Sequence, residues 1–207
     1  MALPPNPRGD RLRRRVGLLG GSFNPAHDGH RHISLAALAA LGLDEVWWLV
    51  SPQNPLKAAR GMAPLATRLR IARARAHHPA IRVTGLESAL ATRYTADTLA
   101  VLRRRFPARR FVWLMGADNL AQFPRWERWE EIFRRVPIAV FDRSPYSFQA
   151  LAGKAATRFL SKRHPARRAR LLADAPPPAW VFLHQRRHPA SATALRLASP
   201  LPDFNHA

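Results

Sequence analysis

The run Gly20-Gly21-Ser22-Phe23-Asn24-Pro25-Ala26-His27-Asp28-Gly29-His30 constrains this chain more than any other segment, because of what flanks it. Val16 to Leu19 is short and aliphatic, whereas Ile33 to Leu41 is almost continuously apolar and ends at Gly42, a residue type suited to a helix C-cap. The pattern predicts a strand, a turn and a buried helix. Residues without a Cβ let backbone N–H groups come close to a ligand, and a helix N-terminus adds unsatisfied donors and partial positive charge. Gly20, Gly21 and Gly29 meet the first need, so the turn suits a polyphosphate. With Asp28 opening the helix, His27 and His30 fall on one side of its first turn as two donors for phosphoryl oxygens. An isolated HxxH fits a tight turn or half a metal site as well, and on the residues alone those readings stay open beside the phosphate one.

The rest of the chain repeats the alternation. Val46 to Val50 reads as a buried strand, and the segment Ser51 to Lys57 that follows, with Pro52 and Pro55, reads as a loop at the sheet end where α/β proteins place ligands. Leu65, Leu69, Ala72 and Ala76 recur at helical spacing, Ile81 to Val83 is a brief strand, and Thr95 is a candidate N-cap for a helix with Leu99, Leu102 and Phe106 on one face. Arg110 to Met115, Pro137 to Phe141 and Trp180 to Leu183 are further strands, and the basic stretch Arg158 to Asp174 is predicted helical. Repeated strand-helix units define an α/β, Rossmann-like doubly wound parallel sheet with helices on both faces and a small C-terminal helical and strand extension. Residues 1–15, rich in Pro and Arg, are expected to form a flexible basic leader, and residues 16–207 a single domain.

The formal charge is +21, from 34 Lys+Arg against 13 Asp+Glu, and arginine carries almost all of the excess. Such charge fits anionic substrates or nucleic acid, but the basic residues are dispersed and no nucleic-acid motif is visible, so nucleic-acid binding is not expected. The absence of cysteine excludes disulfides, thiolate zinc sites and a cysteine nucleophile, and suits a cytoplasmic protein. No apolar run approaches the roughly 18 residues of a membrane span.

The first segment resembles the GxFxPxHxGH signature of the nucleotidylyltransferase superfamily. Three further segments, Arg93-Tyr94-Thr95-x-x-Thr98-Leu99, Gly116-Ala117-Asp118-Asn119-Leu120 with Phe123-Pro124-Arg125-Trp126, and Ser191-Ala192-Thr193-Ala194-Leu195-Arg196, resemble motifs of bacterial nicotinate mononucleotide adenylyltransferases. The four matches occur in family order over residues 17–196. The resemblance implies that AMP passes from ATP to nicotinate mononucleotide, giving deamido-NAD and pyrophosphate, with Mg²⁺ arriving on ATP and no dedicated protein ligands for it. It further implies that His27, His30, Lys57 and Arg196 stabilise charge on the transferring phosphates. Gly20, Gly21, Ser22, Phe23, Asp118, Ser191 and Thr193 are then expected to bind ATP, and Tyr94, Thr95 and Trp126 to bind the pyridine nucleotide. Leu56 and Ala190 depart from the His and Ile that many relatives carry there.

Independently of the resemblance, Trp126 offers a flat face to a cationic ring, although Trp126, Trp129 and Phe133 also share core-like helical spacing. Ser191 and Thr193 before Arg196 fit a phosphate-binding helix start, with a capped surface helix as the plain alternative. Rival readings are another nucleotidylyltransferase, such as phosphopantetheine adenylyltransferase, and a non-catalytic basic nucleic-acid-binding protein. His184 and His188, four apart, match zinc-ligand spacing but lack Cys or HExxH around them. A homo-oligomer is compatible with the sequence.

Overall fold

The computed structural model describes residues 2–52, 61–143 and 146–184. Seven parallel strands form one sheet: β1 Arg15–Gly21, β2 Glu45–Val50, β3 Ile81–Thr84, β4 Arg110–Gly116, β5 Ile138–Phe141, β6 Arg163–His164 and β7 Trp180–Leu183. Their order is β3-β2-β1-β4-β5-β7-β6, so the winding direction reverses between β1 and β4. Leu18 faces Trp47 on one side and Trp113 on the other, which places β1 at the centre.

Alternation along the strands builds two cores. Val16, Leu18, Trp47, Leu49, Trp113, Met115, Ile138 and Val140 point to one face. Leu19, Val46, Trp48, Val50, Val112, Leu114, Ala139 and Phe141 point to the other. Burial on both sides explains why these strands read as unbroken apolar runs.

The helices α1 Asp28–Leu41 and α2 Leu65–Ala76 cover the second face. The first face carries α3 Leu86–Ala89, α4 Thr95–Arg105, α5 Ala117–Gln122, α6 Trp129–Arg135, α7 Ser147–Ala152 and α8 Lys154–Arg158. Helix α1 ends as its sequence predicts, with Gly42 left-handed at φ 61° and its N–H bonded to the Leu38 carbonyl.

Three expectations need correction. The stretch Arg158 to Asp174 is not one helix: beyond α8 it consists of two 3-10 segments, Leu160–Lys162 and Ala166–Asp174, around the short strand β6. Pro165 breaks the run, since its ring cannot continue an α-helix and it lacks an N–H. The strand Trp180–Leu183 is an integral member of the sheet, lying between β5 and β6. Thr95 is the first residue inside α4, and Tyr94 occupies the N-cap position.

Among the described residues ahead of β1, 2–14, none is in a helix or strand, yet they are tied to the body. Asp10 pairs with Arg109 at 2.7 Å, the Leu3 carbonyl accepts from Arg82 at 2.9 Å, and the Pro7 carbonyl accepts from Arg105. These contacts lie at the strands' N-terminal ends, opposite the pole where the motif residues gather.

Candidate active site

Where a parallel sheet reverses its winding, two adjacent crossovers leave in opposite directions and open a crevice at the strands' C-terminal ends. Here that crevice separates the chain after β1 from the chain after β4, and both carry motif residues.

After β1 the chain turns through Ser22 to Ala26 into α1. Gly20 and Gly21 are the last residues of the strand, in register with Leu49 and Val50, and neither has positive φ. A Cβ on Gly20 would lie 2.5 Å from the Trp113 ring, so its small size makes room for a core indole. This packing role is one that the sequence reading of Gly20 did not include. The left-handed turn residue is Phe23, at φ 48°, a conformation that costs a non-glycine residue about 1 kcal/mol or more. Burial offsets it: the Phe23 ring stacks on Trp48 at 5.2 Å and meets the His30 ring at 4.5 Å.

Asp28 opens α1 as expected, with His27 at the N-cap. The two imidazole centroids are 3.8 Å apart. His27 is buried and His30 half-buried, so His30 is the more open of the pair. The His27 backbone N–H donates to His30 Nδ1 at 3.1 Å. That bond puts the proton of a neutral His30 ring on Nε2, the ring's opposite side. Behind the pair, the Trp48 indole donates to Ser34 Oγ at 2.7 Å, and Ser34 donates to the His30 carbonyl at 2.8 Å.

After β4, Asp118 sits in the first turn of α5. Its Oδ2 pairs with Arg143 Nη1 at 3.0 Å, while Oδ1 is buried with no hydrogen-bond partner among the described residues. Gly116 is required here, because a Cβ would lie 2.4 Å from that Oδ1. The carboxylate is thus held at the crevice by an arginine arriving from the end of β5.

The segments expected to bind the pyridine nucleotide are far apart in sequence but tied together. Tyr94 and Thr95 start α4, Trp126 follows the 3-10 turn after α5, and Arg128 beyond it pairs with Asp97 of α4 at 2.6 Å. Trp126 is half-buried, edge-on to Trp113 at 6.2 Å and 4.9 Å from Phe123. Trp129 packs against Phe133 and Phe159 in the core. Beneath α4, Thr98 Oγ1 lies within hydrogen-bond reach of the Tyr94 carbonyl, Thr92 Oγ1 and Glu87 Oε1. Burial pushes the Glu87 carboxyl up to about 7, with the Thr98 hydroxyl acting in the opposite direction.

Lys57, Ser191, Thr193 and Arg196 lie outside the described residues, as does His188. His184 pairs with Asp142 at 3.2 Å at the end of β7. Among the described residues no group of three or more His, Asp or Glu is gathered as a metal site, and no helix is long and apolar enough to cross a membrane.

Sequence reasoning missed Arg68, Glu87, Ser34 and Arg143. Arg68 is one of many arginines, and Ser34 is a small polar residue in an apolar helix; the Ser22 carbonyl that meets the first and the Trp48 indole that meets the second are distant in sequence, so only the three-dimensional arrangement distinguishes them.

A parallel sheet with paired imidazoles at a helix N-terminus beside its reversal point defines a nucleotide-handling α/β protein, and residues 18–198 match the family model described as cytidylyltransferase-like. The chain belongs to that family. Within it the chain groups with the nicotinate-nucleotide adenylyltransferases. It is 54% identical to the "Probable nicotinate-nucleotide adenylyltransferase" of Methylorubrum extorquens over 182 residues, 88% of this chain and 98% of that one. The protein of the same name from Brucella abortus is 50% identical over 181 residues, covering 87% and 93%. Among solved structures, Plasmodium falciparum nicotinic acid mononucleotide adenylyltransferase complexed with APC shares the fold, with a TM-score of 0.65 at 15% identity over 89% of this chain and 83% of that one. The same protein complexed with NaAD superposes equally well.

Proposed function

We propose that this chain is a nicotinate-nucleotide adenylyltransferase that transfers AMP from ATP to nicotinate mononucleotide, forming deamido-NAD and releasing pyrophosphate. The carrying observation is the pair His27 and His30, ring centroids 3.8 Å apart at the start of α1 beside the β1/β4 reversal. A phosphate oxygen of the acceptor attacks the α-phosphorus of ATP, a new P–O bond forms, and the bond to the β-phosphate oxygen breaks in line. The nucleophile is already anionic and pyrophosphate leaves well, so the protein's task is positioning and charge neutralisation rather than general-base chemistry.

In this reading His30 Nε2–H and the amides opening α1 meet the polyphosphate. Asp118, steered by Arg143, accepts from a ribose hydroxyl. Trp126 offers its ring to the pyridine, with Tyr94 and Thr95 beside it. Ser191, Thr193 and Arg196 are assigned to the phosphates from their motif and its spacing, and Lys57 from its place in a proline-bounded segment of the sequence. ATP enters as its magnesium complex, the ion held by phosphate oxygens. The cysteine-free chain is assigned to the cytoplasm.

The test is a coupled pyrophosphate-release assay with ATP and, in turn, nicotinate mononucleotide, nicotinamide mononucleotide and phosphopantetheine. Turnover is expected with the first, more weakly with the second, and at background with the third. Turnover only with phosphopantetheine, or none with any acceptor, refutes the assignment.

A further inference from the structure

Arg68 is among the largest fully buried side chains, 1% exposed, and among the described residues none of its partners is a carboxylate. Every hydrogen bond it makes there goes to a backbone carbonyl: Nε to Ala63 at 2.8 Å, Nη1 to Ser22 at 2.7 Å and to Ser51 at 2.7 Å, and Nη2 to Pro52 at 2.8 Å. A guanidinium stays protonated in such a place, although burial draws its pKa down. Burying a cation without a counter-ion is costly unless dipoles or a bound anion compensate.

The bond to Ser22 gives this charge a direction. In a planar trans peptide the C=O and the next N–H point to opposite edges. The Gly21 carbonyl accepts from the Ser51 N–H at 2.9 Å, and the Ser22 carbonyl accepts from Arg68. Both linkages are trans. The N–H groups of Ser22 and Phe23 therefore face away from Arg68 and β2. Asn24 holds the far end of the turn, donating to the Gly61 carbonyl at 2.9 Å and accepting from the Ala63 N–H at 3.2 Å. Ala63 thus serves both devices, since its carbonyl binds Arg68.

We propose that Arg68 is the positioning residue of the polyphosphate cradle: its guanidinium orients the Ser22–Phe23 peptide and supplies, behind it, a positive charge that a bound polyphosphate neutralises. The inference rests on the adenylyl-transfer reading for the identity of the ligand. It separates Arg68 from a plain structural tie, which would affect both substrates alike.

The experiment is calorimetric titration of wild type, Arg68→Lys and Arg68→Met with inorganic tripolyphosphate, with ATP and with nicotinate mononucleotide, alongside thermal melts. Loss of charged hydrogen bonds of this type predicts at least about tenfold weaker binding of tripolyphosphate and ATP by Arg68→Met, with nicotinate mononucleotide changed by less than about threefold. Arg68→Lys keeps the charge without the fork and is expected to weaken ATP by about three- to tenfold; it decides the question should Arg68→Met not fold. Unchanged ATP affinity in a folded variant, or equal loss for both nucleotides, overturns the proposal. Wild type that binds ATP and tripolyphosphate but releases no pyrophosphate would refute the adenylyl-transfer reading while leaving the cradle role standing. Wild type that binds neither would overturn both.

Discussion

The indole N–H of Trp48 on β2 donates to Ser34 Oγ on α1 at 2.7 Å, and through Ser34 it reaches the carbonyl of His30. This contact sets how α1 sits on the sheet at the turn that displays His30. Ser34→Ala would leave a buried indole N–H without its acceptor, at a cost of about 1–3 kcal/mol. Denaturant unfolding should show that loss, and a cycle with Trp48→Phe should show coupling of about 1 kcal/mol. Additive effects of the two substitutions would mean that the bond carries no energy of its own.

His30→Ala removes a donor aimed at charge that develops during phosphoryl transfer. Turnover should fall by about 10²- to 10³-fold while circular dichroism and melting temperature stay near wild type. Activity close to wild type would rule out the role assigned to this ring.

Trp126 should matter for one substrate only. A cationic pyridine on its face is worth about 0.5–2 kcal/mol, so Trp126→Ala is expected to raise KM for nicotinate mononucleotide by roughly 2- to 30-fold, while KM for ATP stays within about twofold. Steady-state kinetics with each substrate varied in turn reads this directly. Parallel rises in both constants would assign Trp126 to packing against Trp113 and Phe123 instead.

Glu87 predicts a pH dependence of stability. Its carboxyl is raised from 4.5 to about 7 in the folded protein, so the native state holds this proton more tightly than the unfolded chain does. The contribution is fully present below about pH 4.5, is lost as pH rises through about 7, and is constant above that. Glu87→Gln keeps the shape without the titration. The variant should gain on wild type between those limits and level off at about 3 kcal/mol. Urea unfolding from pH 5 to 8 giving parallel curves would contradict the assignment.

At the opposite pole, Arg109 pairs with the buried Glu45 and with Asp10, and lies 5.0 Å over the Trp47 ring. Arg109→Met leaves Glu45 with Arg82 as its partner and should cost about 3 kcal/mol. The Arg109 hydrogen bond, foremost among the causes, holds the Asp10 carboxyl below its ordinary value of 3.8. Stability from that shift is present above pH 3.8 and is lost as pH falls through the native value. An acid-unfolding limb that does not change in Arg109→Met would exclude the link.

Much of this architecture was legible in the chain. Val46 to Val50 and Arg110 to Met115 announced themselves as doubly buried strands because both of their faces are apolar. Gly42 marked the end of α1 through the left-handed conformation that glycine adopts more cheaply than other residues, and the glycine and histidine turn marked the start of α1 at the C-terminal end of β1. The stretch from Arg158 to Asp174 misled because its alanines and arginines favour helix locally, whereas Pro165 and the pairing of β6 with β7 impose short 3-10 turns. At Gly20 the sequence hid a packing role: its missing side chain accommodates Trp113, a partner from a distant strand that no local pattern reveals.

By itself, the sequence determined the alternation of strands and helices, the turn that opens α1, and the family to which the chain belongs, because periodicity, capping and motif spacing are local properties. Only the tertiary structure decided that Arg68 stands behind Ser22, that Arg143 holds Asp118, that Arg128 joins the Trp126 segment to α4, and that Glu87 is buried beneath it. The first three depend on which crossovers the sheet order β3-β2-β1-β4-β5 brings side by side, and the last on how one crossover folds over itself and desolvates the carboxyl it encloses.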